Sequence, residues 1–199
     1  MQALLEAPDR ATAAGRRDHA LLLTMYNTGA RVQEILDVRP CDLQLNRPRQ
    51  ALLRGKRRCS PLWKETAALL RTSEVDPADR QPLFRNRSGR PLTRFGVRYI
   101  LHKHAGTAAA RVPTLAARRV HPHVLRQTAA SHFLQAGVDP ITIRRWLGHA
   151  GVSTTSIYAE VDLESKRKAV HKAKPLRNTD TGSSDWRTNT DTLSWLESL

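Results

Sequence analysis

Six polar residues in this chain have the types and spacing for chemistry. Arg31 lies in TGARVQEIL and Lys56 in LLRGKRRCSPLW. His123 and Arg126 lie in HPHVLRQTAASHFLQAG, His149 closes IRRWLGH, and Tyr158 follows nine residues later in STTSIYAEV. Two arginines, a lysine, two imidazoles and a phenol suit work on a phosphodiester. A guanidinium fork matches two phosphate oxygens. A phenol oxygen can attack phosphorus, and an ammonium can protonate the leaving sugar hydroxyl. If the phosphotyrosine stores the bond energy, such an exchange needs neither metal nor ATP.

Each residue has a plainer alternative. His123 and Arg126 are three apart and share a helix face. They fall in its first turns, where free backbone N–H groups favour a phosphate; a solvated basic helix start is the other reading. Arg31 follows a Thr-Gly turn and either completes the phosphate clamp or pairs with Glu34, three residues on. The expectation is that Glu34 supports the fold and Arg31 the clamp. Lys56 sits at a hairpin tip crowded by Arg57 and Arg58, as general acid or as a solvated turn lysine. His149 could accept the Tyr158 proton, bond a phosphate oxygen, or cap helix carbonyls. A phenol titrates near a pKa of about 10, so Tyr158 would need nearby cations to favour its phenolate. Tyr26 and Tyr99 stand in apolar helical contexts that suit packing. The His-x-His pairs at 102–104 and 121–123 lack a third ligand at zinc-like spacing, so neither metal nor other cofactor is expected.

ARVQEIL, HPHVLR, and LGH 23 residues after Arg126 with Tyr nine further on resemble the signature of tyrosine recombinases, the phage-integrase family. The resemblance runs from about Arg17 to about Ala169. It implies a mainly α catalytic-domain fold with a small antiparallel β-sheet, and a 3′-phosphotyrosine link to double-stranded DNA. The catalytic set it implies is Arg31, Lys56, His123, Arg126, His149 and Tyr158. The implied function is site-specific recombination or integration, with self-assembly on DNA as a tetramer in the synapse. A type IB topoisomerase-like nicking and resealing enzyme and a non-catalytic DNA-binding remnant are the alternatives. Members of the family usually carry a helical DNA-clamping domain before the first arginine. Only 30 residues precede Arg31, so that domain is expected to be absent. The hairpin also runs from Lys56 to Pro61 without the insertion that family members often show.

The elements that must position these groups follow from punctuation and patterning. DHALLLTMYN predicts a buried helix over 17–27, stopped by Thr28-Gly29. A second short helix spans 31–38 with Ile35 and Leu36 inward, ended by Pro40. Residues 42–62 read as a small antiparallel sheet, and 63–75 as a helix before Asp76-Pro77. A Ser88-Gly89 turn follows, then a helix from a Thr93 cap to about Ala109. His121-Pro122 opens a helix closed by Gly137, and Asp139-Pro140 opens another through Leu147, ended by Gly148. Ser153 or Thr154 caps a helix bearing Tyr158, and a basic helix starts at Asp162. The catalytic domain is expected over 1–175 and a flexible tail over 176–199, with Leu193, Trp195, Leu196 and Leu199 as a possible docking segment.

Composition agrees with a nucleic-acid partner. The 199 residues hold 33 Lys+Arg against 18 Asp+Glu, a net charge of +15. Residues 171–199 hold four of each sign, so the first 170 carry the whole surplus. Such a body attracts a polyanion with strong salt dependence. Cys41 and Cys59 form no CxxC pair and read as small, partly buried thiols of a reducing cytoplasm. Trp63 and Trp146 read as packing residues. No apolar run reaches the roughly 18–20 residues of a membrane span, and the N-terminus lacks a secretion-signal layout. The expected location is the cytoplasm, with the nucleoid.

Overall fold

The computed structural model of the chain describes residues 1–56, 58–72, 76 and 78–148, with Lys56 placed by its backbone. A short helix α1 (Gln2–Glu6) precedes α2 (Ala13–Thr28). The second helix starts four residues before the expected Arg17. Thr12 caps it there, its hydroxyl accepting from the Gly15 N–H at 3.0 Å, and the alanines that follow favour helix. Leu21, Leu22 and Met25 are its buried stripe. Gly29 ends it in the left-handed conformation, φ +56°.

Helix α3 (Val32–Leu36) has Arg31 at its N-cap and buries Ile35 and Leu36 as expected. A three-stranded antiparallel sheet follows: β1 (Leu43–Gln44), β2 (Gln50–Leu53) and β3 (Arg58–Pro61), in that spatial order. Ala51 pairs with Ser60 and Leu53 with Arg58. A 3₁₀ turn, Arg54–Lys56, leads out of β2. Asp42 anchors its first residue, accepting from Arg54 Nε and from a terminal nitrogen at 2.7 Å each.

Helix α4 (Lys64–Arg71) ends at a Thr72 cap, short of the expected Val75; residues 73–75 lie outside the described ones. The Ser88-Gly89 turn is held by Asn86, whose side chain accepts from the Ser88 and Arg90 N–H groups at 2.9 and 3.0 Å. Helix α5 (Arg94–Ala109) is capped by Thr93. Helix α6 (Pro122–Gln135) starts at His121-Pro122, and α7 (Pro140–Leu147) is capped by Asp139, which accepts from the Thr142 N–H at 2.8 Å. The expected elements beyond Gly148, including the helix of Tyr158, the basic helix and the tail segment, lie outside the described residues.

Two packed clusters hold these helices. The larger joins α2, α3, α5, the start of α6 and the sheet through Leu21, Ile35, Leu53, Leu101 and Leu125, all fully buried. Each such side chain contributes about 1.5–3 kcal/mol relative to exposure. The smaller lies between α6 and α7, with Ala129, Phe133, Ile143 and Leu147 buried and Tyr26, Trp63 and Trp146 packed at its margin. Two further expectations change. Cys41 and Cys59 are exposed, Cys59 on the outward register of β3 beside the buried Ser60. Tyr99 is 71% exposed: Val97, Ile100, Leu101 and His104 take the inward face of α5, which turns residue 99 outward. No helix among the described residues is long and apolar enough to cross a membrane.

Candidate active site

Arg126 is the most enclosed of the chemical residues whose side chains are described. It sits in the second turn of α6 and is 4% exposed. One terminal nitrogen donates to the Gly29 carbonyl at 2.5 Å and the other to the Leu147 carbonyl at 2.7 Å. Gly29 stands two residues before Arg31, and Leu147 two before His149 in sequence. The guanidinium thus ties the segment leading to Arg31 and the end of α7 to the start of α6. A helix C-terminus carries partial negative charge, so a cation there is favoured. Gly29 is fitted to this place: a Cβ on it would lie 2.4 Å from a methyl of buried Leu147.

Arg31 is the open member, its side chain 48% exposed. Its backbone N–H donates to Glu34 at 2.8 Å, and its guanidinium lies 3.6 Å from the other carboxylate oxygen. Glu34 is buried and also accepts from Arg58 at 3.0 Å. Burial pushes the Glu34 carboxyl up, but the Arg31 N–H and the Arg58 guanidinium outweigh it and hold the group below the ordinary carboxylate range. Glu34 therefore both starts α3 and balances two cations. Sequence reading anticipated its support of the fold but missed Arg58. The available signal was an arginine leaving the hairpin next to a helix whose single acid is buried.

The remaining members are placed less closely. Lys56 closes the 3₁₀ turn that packs on α3. His123 is exposed in the first turn of α6, its ring parallel to that of His121 with centroids 6.4 Å apart. His149 and Tyr158 lie outside the described residues. Of the other His-x-His pair, His104 is buried and its Nε2 is 2.9 Å from Asp18, which also takes the Arg17 fork. That arrangement belongs to the core.

Around these groups the surface is basic. Residues 80–138 hold ten arginines and one lysine and no carboxylate side chain. Within this run the outward face of α5 exposes Phe95 (79%) and Tyr99 beside Arg94, Arg98, His102 and Lys103. Arg94 donates to Gln33 of α3 at 2.7 Å, so this face begins next to Arg31.

Residues 1–165 match the phage integrase family. The chain belongs to this family. The integrase/recombinase y4rC of Sinorhizobium fredii is 42% identical over 204 residues, covering all of this chain and 60% of that protein. The tyrosine recombinase XerC of Staphylococcus carnosus is 34% identical over 182 residues, covering 88% of this chain and 60% of the relative. The chain thus spans about 60% of the length of these phage-integrase relatives. Among solved structures, the XerA recombinase superposes with a TM-score of 0.70 at 25% identity, over 87% of this chain and 61% of that one. The XerH site-specific recombinase bound to its difH substrate before cleavage gives 0.67 at 25% identity, over 83% and 50%. The mainly helical fold with its small antiparallel sheet is therefore the phage-integrase catalytic fold.

Proposed function

We propose that this chain performs the strand cleavage and rejoining of a site-specific DNA recombinase through a 3′-phosphotyrosine. Arg31, His123, Arg126 and His149 surround the scissile phosphate. Tyr158 Oη bonds to phosphorus while the bond to the 5′-oxygen breaks. His149 takes the phenol proton, and Lys56 gives a proton to the leaving 5′-oxygen, which departs as the hydroxyl. Attack by a partner 5′-hydroxyl on the phosphotyrosine reverses these steps and restores Tyr158. Preorganised cations stabilise the five-coordinate phosphorus, commonly the largest catalytic contribution.

The observation that carries this reading is the Arg126 fork between the Gly29 and Leu147 carbonyls. It gathers the sequence neighbourhoods of Arg31 and His149 about the first turns of α6, where His123 also lies. The family match and the net charge of +15 support DNA as the partner. The test is incubation with a nicked duplex that traps the covalent adduct. Wild type should form it; Tyr158→Phe should bind DNA but form none. An undiminished adduct in that variant would remove Tyr158 from the role.

On this reading residues 1–175 form the catalytic body and 176–199 a tail for contacts between subunits on DNA. Its Leu193, Trp195, Leu196 and Leu199 suffice to fill a partner's groove, with Trp a frequent anchor. Sedimentation with and without DNA should show that deleting 176–199 weakens self-association more than DNA binding by one subunit. Identical assembly of the full and shortened chains would leave the tail without that role.

A further inference from the structure

Glu34 touches both the start of α3 and the hairpin that carries Lys56. One carboxylate oxygen accepts the Arg31 N–H at 2.8 Å and the Arg58 guanidinium at 3.0 Å. The other faces the Arg31 guanidinium at 3.6 Å. On the turn itself, a Cβ at Gly55 would lie 3.2 Å from Glu34 Cγ, so the backbone there already rests on this side chain. Arg58 stands at the first residue of β3, two positions past Lys56. Its side chain is 12% exposed and that of Glu34 5%. Two of its nitrogens, Nε and one terminal, are enclosed and have no partner among the described residues. An enclosed guanidinium is unfavourable without an opposite charge. Glu34 is thus what keeps Arg58, and with it the base of the hairpin, against α3.

We propose that Arg58 is a positioning residue: through Glu34 it fixes the Lys56 turn to the Arg31 end of α3, so that proton donor and phosphate clamp meet the DNA in one register. This rests on the reading of Lys56 as the general acid. Arg58 itself neither touches the phosphate nor moves a proton. If the latch opens, Arg31 remains at its helix start while Lys56 loses its placement. The defect should therefore resemble loss of the acid and not loss of the clamp.

That resemblance can be measured. A DNA whose leaving 5′-oxygen is replaced by a bridging sulfur needs little protonation. Arg58→Gln in the full chain should cleave ordinary DNA at least about tenfold more slowly, within the range a general acid supplies. On the sulfur-bridged DNA it should come within about threefold of wild type, because the acid step is bypassed. The double variant Lys56→Ala/Arg58→Gln should be no slower than Lys56→Ala alone, as expected for residues acting in one unit. Arg58→Lys, which keeps a cation for Glu34, should recover part of the rate and guards against a folding failure. Equal losses on both DNAs, or no loss on either, overturn the proposal. If sulfur fails to relieve Lys56→Ala, the acid assignment itself falls. Amide exchange over residues 54–60 then decides the latch: faster exchange in Arg58→Gln supports it, and unchanged exchange overturns it.

Discussion

Arg126 donates to the Leu147 carbonyl at 2.7 Å, joining the second turn of α6 to the last turn of α7. With the Gly29 carbonyl on its other terminal nitrogen, this side chain is a structural staple in addition to the clamp role proposed for it. Arg31, half exposed, has no such burden. The two arginines should therefore separate in experiment. A lysine at 126 cannot span both carbonyls. Hydrogen bonds to charged groups contribute about 1.5–3 kcal/mol each, so Arg126→Lys should lower stability by about 2–4 kcal/mol. Cleavage should fall at least about 100-fold, as for loss of a transition-state donor. Arg31→Lys should lose cleavage similarly at a stability cost under about 1 kcal/mol, as for an exposed ion pair. Denaturant melts beside adduct-formation rates would check this; equal destabilisation by both would contradict the staple.

Gly29 offers a second separation. It has positive φ, and an added methyl group would meet Leu147 in a closed space. Gly137 also has positive φ, +83°, but nothing lies within 4 Å of its would-be Cβ. Gly137→Ala should cost only the left-handed penalty, about 1–2 kcal/mol. Gly29→Ala should cost that plus overpacking of about 1–3 kcal/mol, and should slow cleavage because the Arg126 carbonyl partner shifts. Equal melting points for the two variants would mean that Leu147 moves aside freely.

Local signals in the sequence were enough to read much of this. Thr93, Asp139, His121-Pro122, Gly29 and Gly148 mark helix ends by side-chain chemistry or by positive φ, and each acts locally in the fold. The hairpin followed from turn residues between short apolar runs. Contacts between distant segments were hidden. Nothing along the chain says that Arg126 reaches Gly29, 97 residues away, or that Arg58 shares Glu34 with Arg31. Tyr99 misled because its neighbours are apolar; helical phase, not composition, decides which of them faces the core.

Buried carboxylates give the stability a defined acid limb. Burial alone would raise Glu34 and Asp42, yet hydrogen bonds and arginines lower both below their ordinary values, Arg58 and the Arg31 N–H for Glu34, Arg54 and the Arg39 N–H for Asp42. The folded state thus binds protons less readily than the unfolded chain. Their stabilisation is complete above the unfolded carboxyl value, about 4–4.5, and is lost as pH falls through the depressed folded values. Glu34→Gln should melt less stably at neutral pH and show a shallower loss on acidification. An acid limb of unchanged slope would show that Glu34 is not held ionised by these partners.

On the proposed function, the outward face of α5 tests how far a DNA contact would extend beyond the scissile phosphate. Arg98 and Lys103 are exposed cations on a helix without acidic residues, and Phe95 and Tyr99 stand among them. If duplex DNA covers this face, removing one phosphate contact should release about one counterion fewer. Arg98→Ala should then weaken binding and reduce the slope of log affinity against log salt by about 1. Phe95→Ala should weaken binding with the slope unchanged, because an aromatic ring contributes apolar contact and no counterion release. Neither change should move the melting point, since both side chains are exposed. Affinities measured at several salt concentrations would decide the matter. A wild-type slope for Arg98→Ala would place the duplex off this helix and confine the contact to the surroundings of Arg31 and His123.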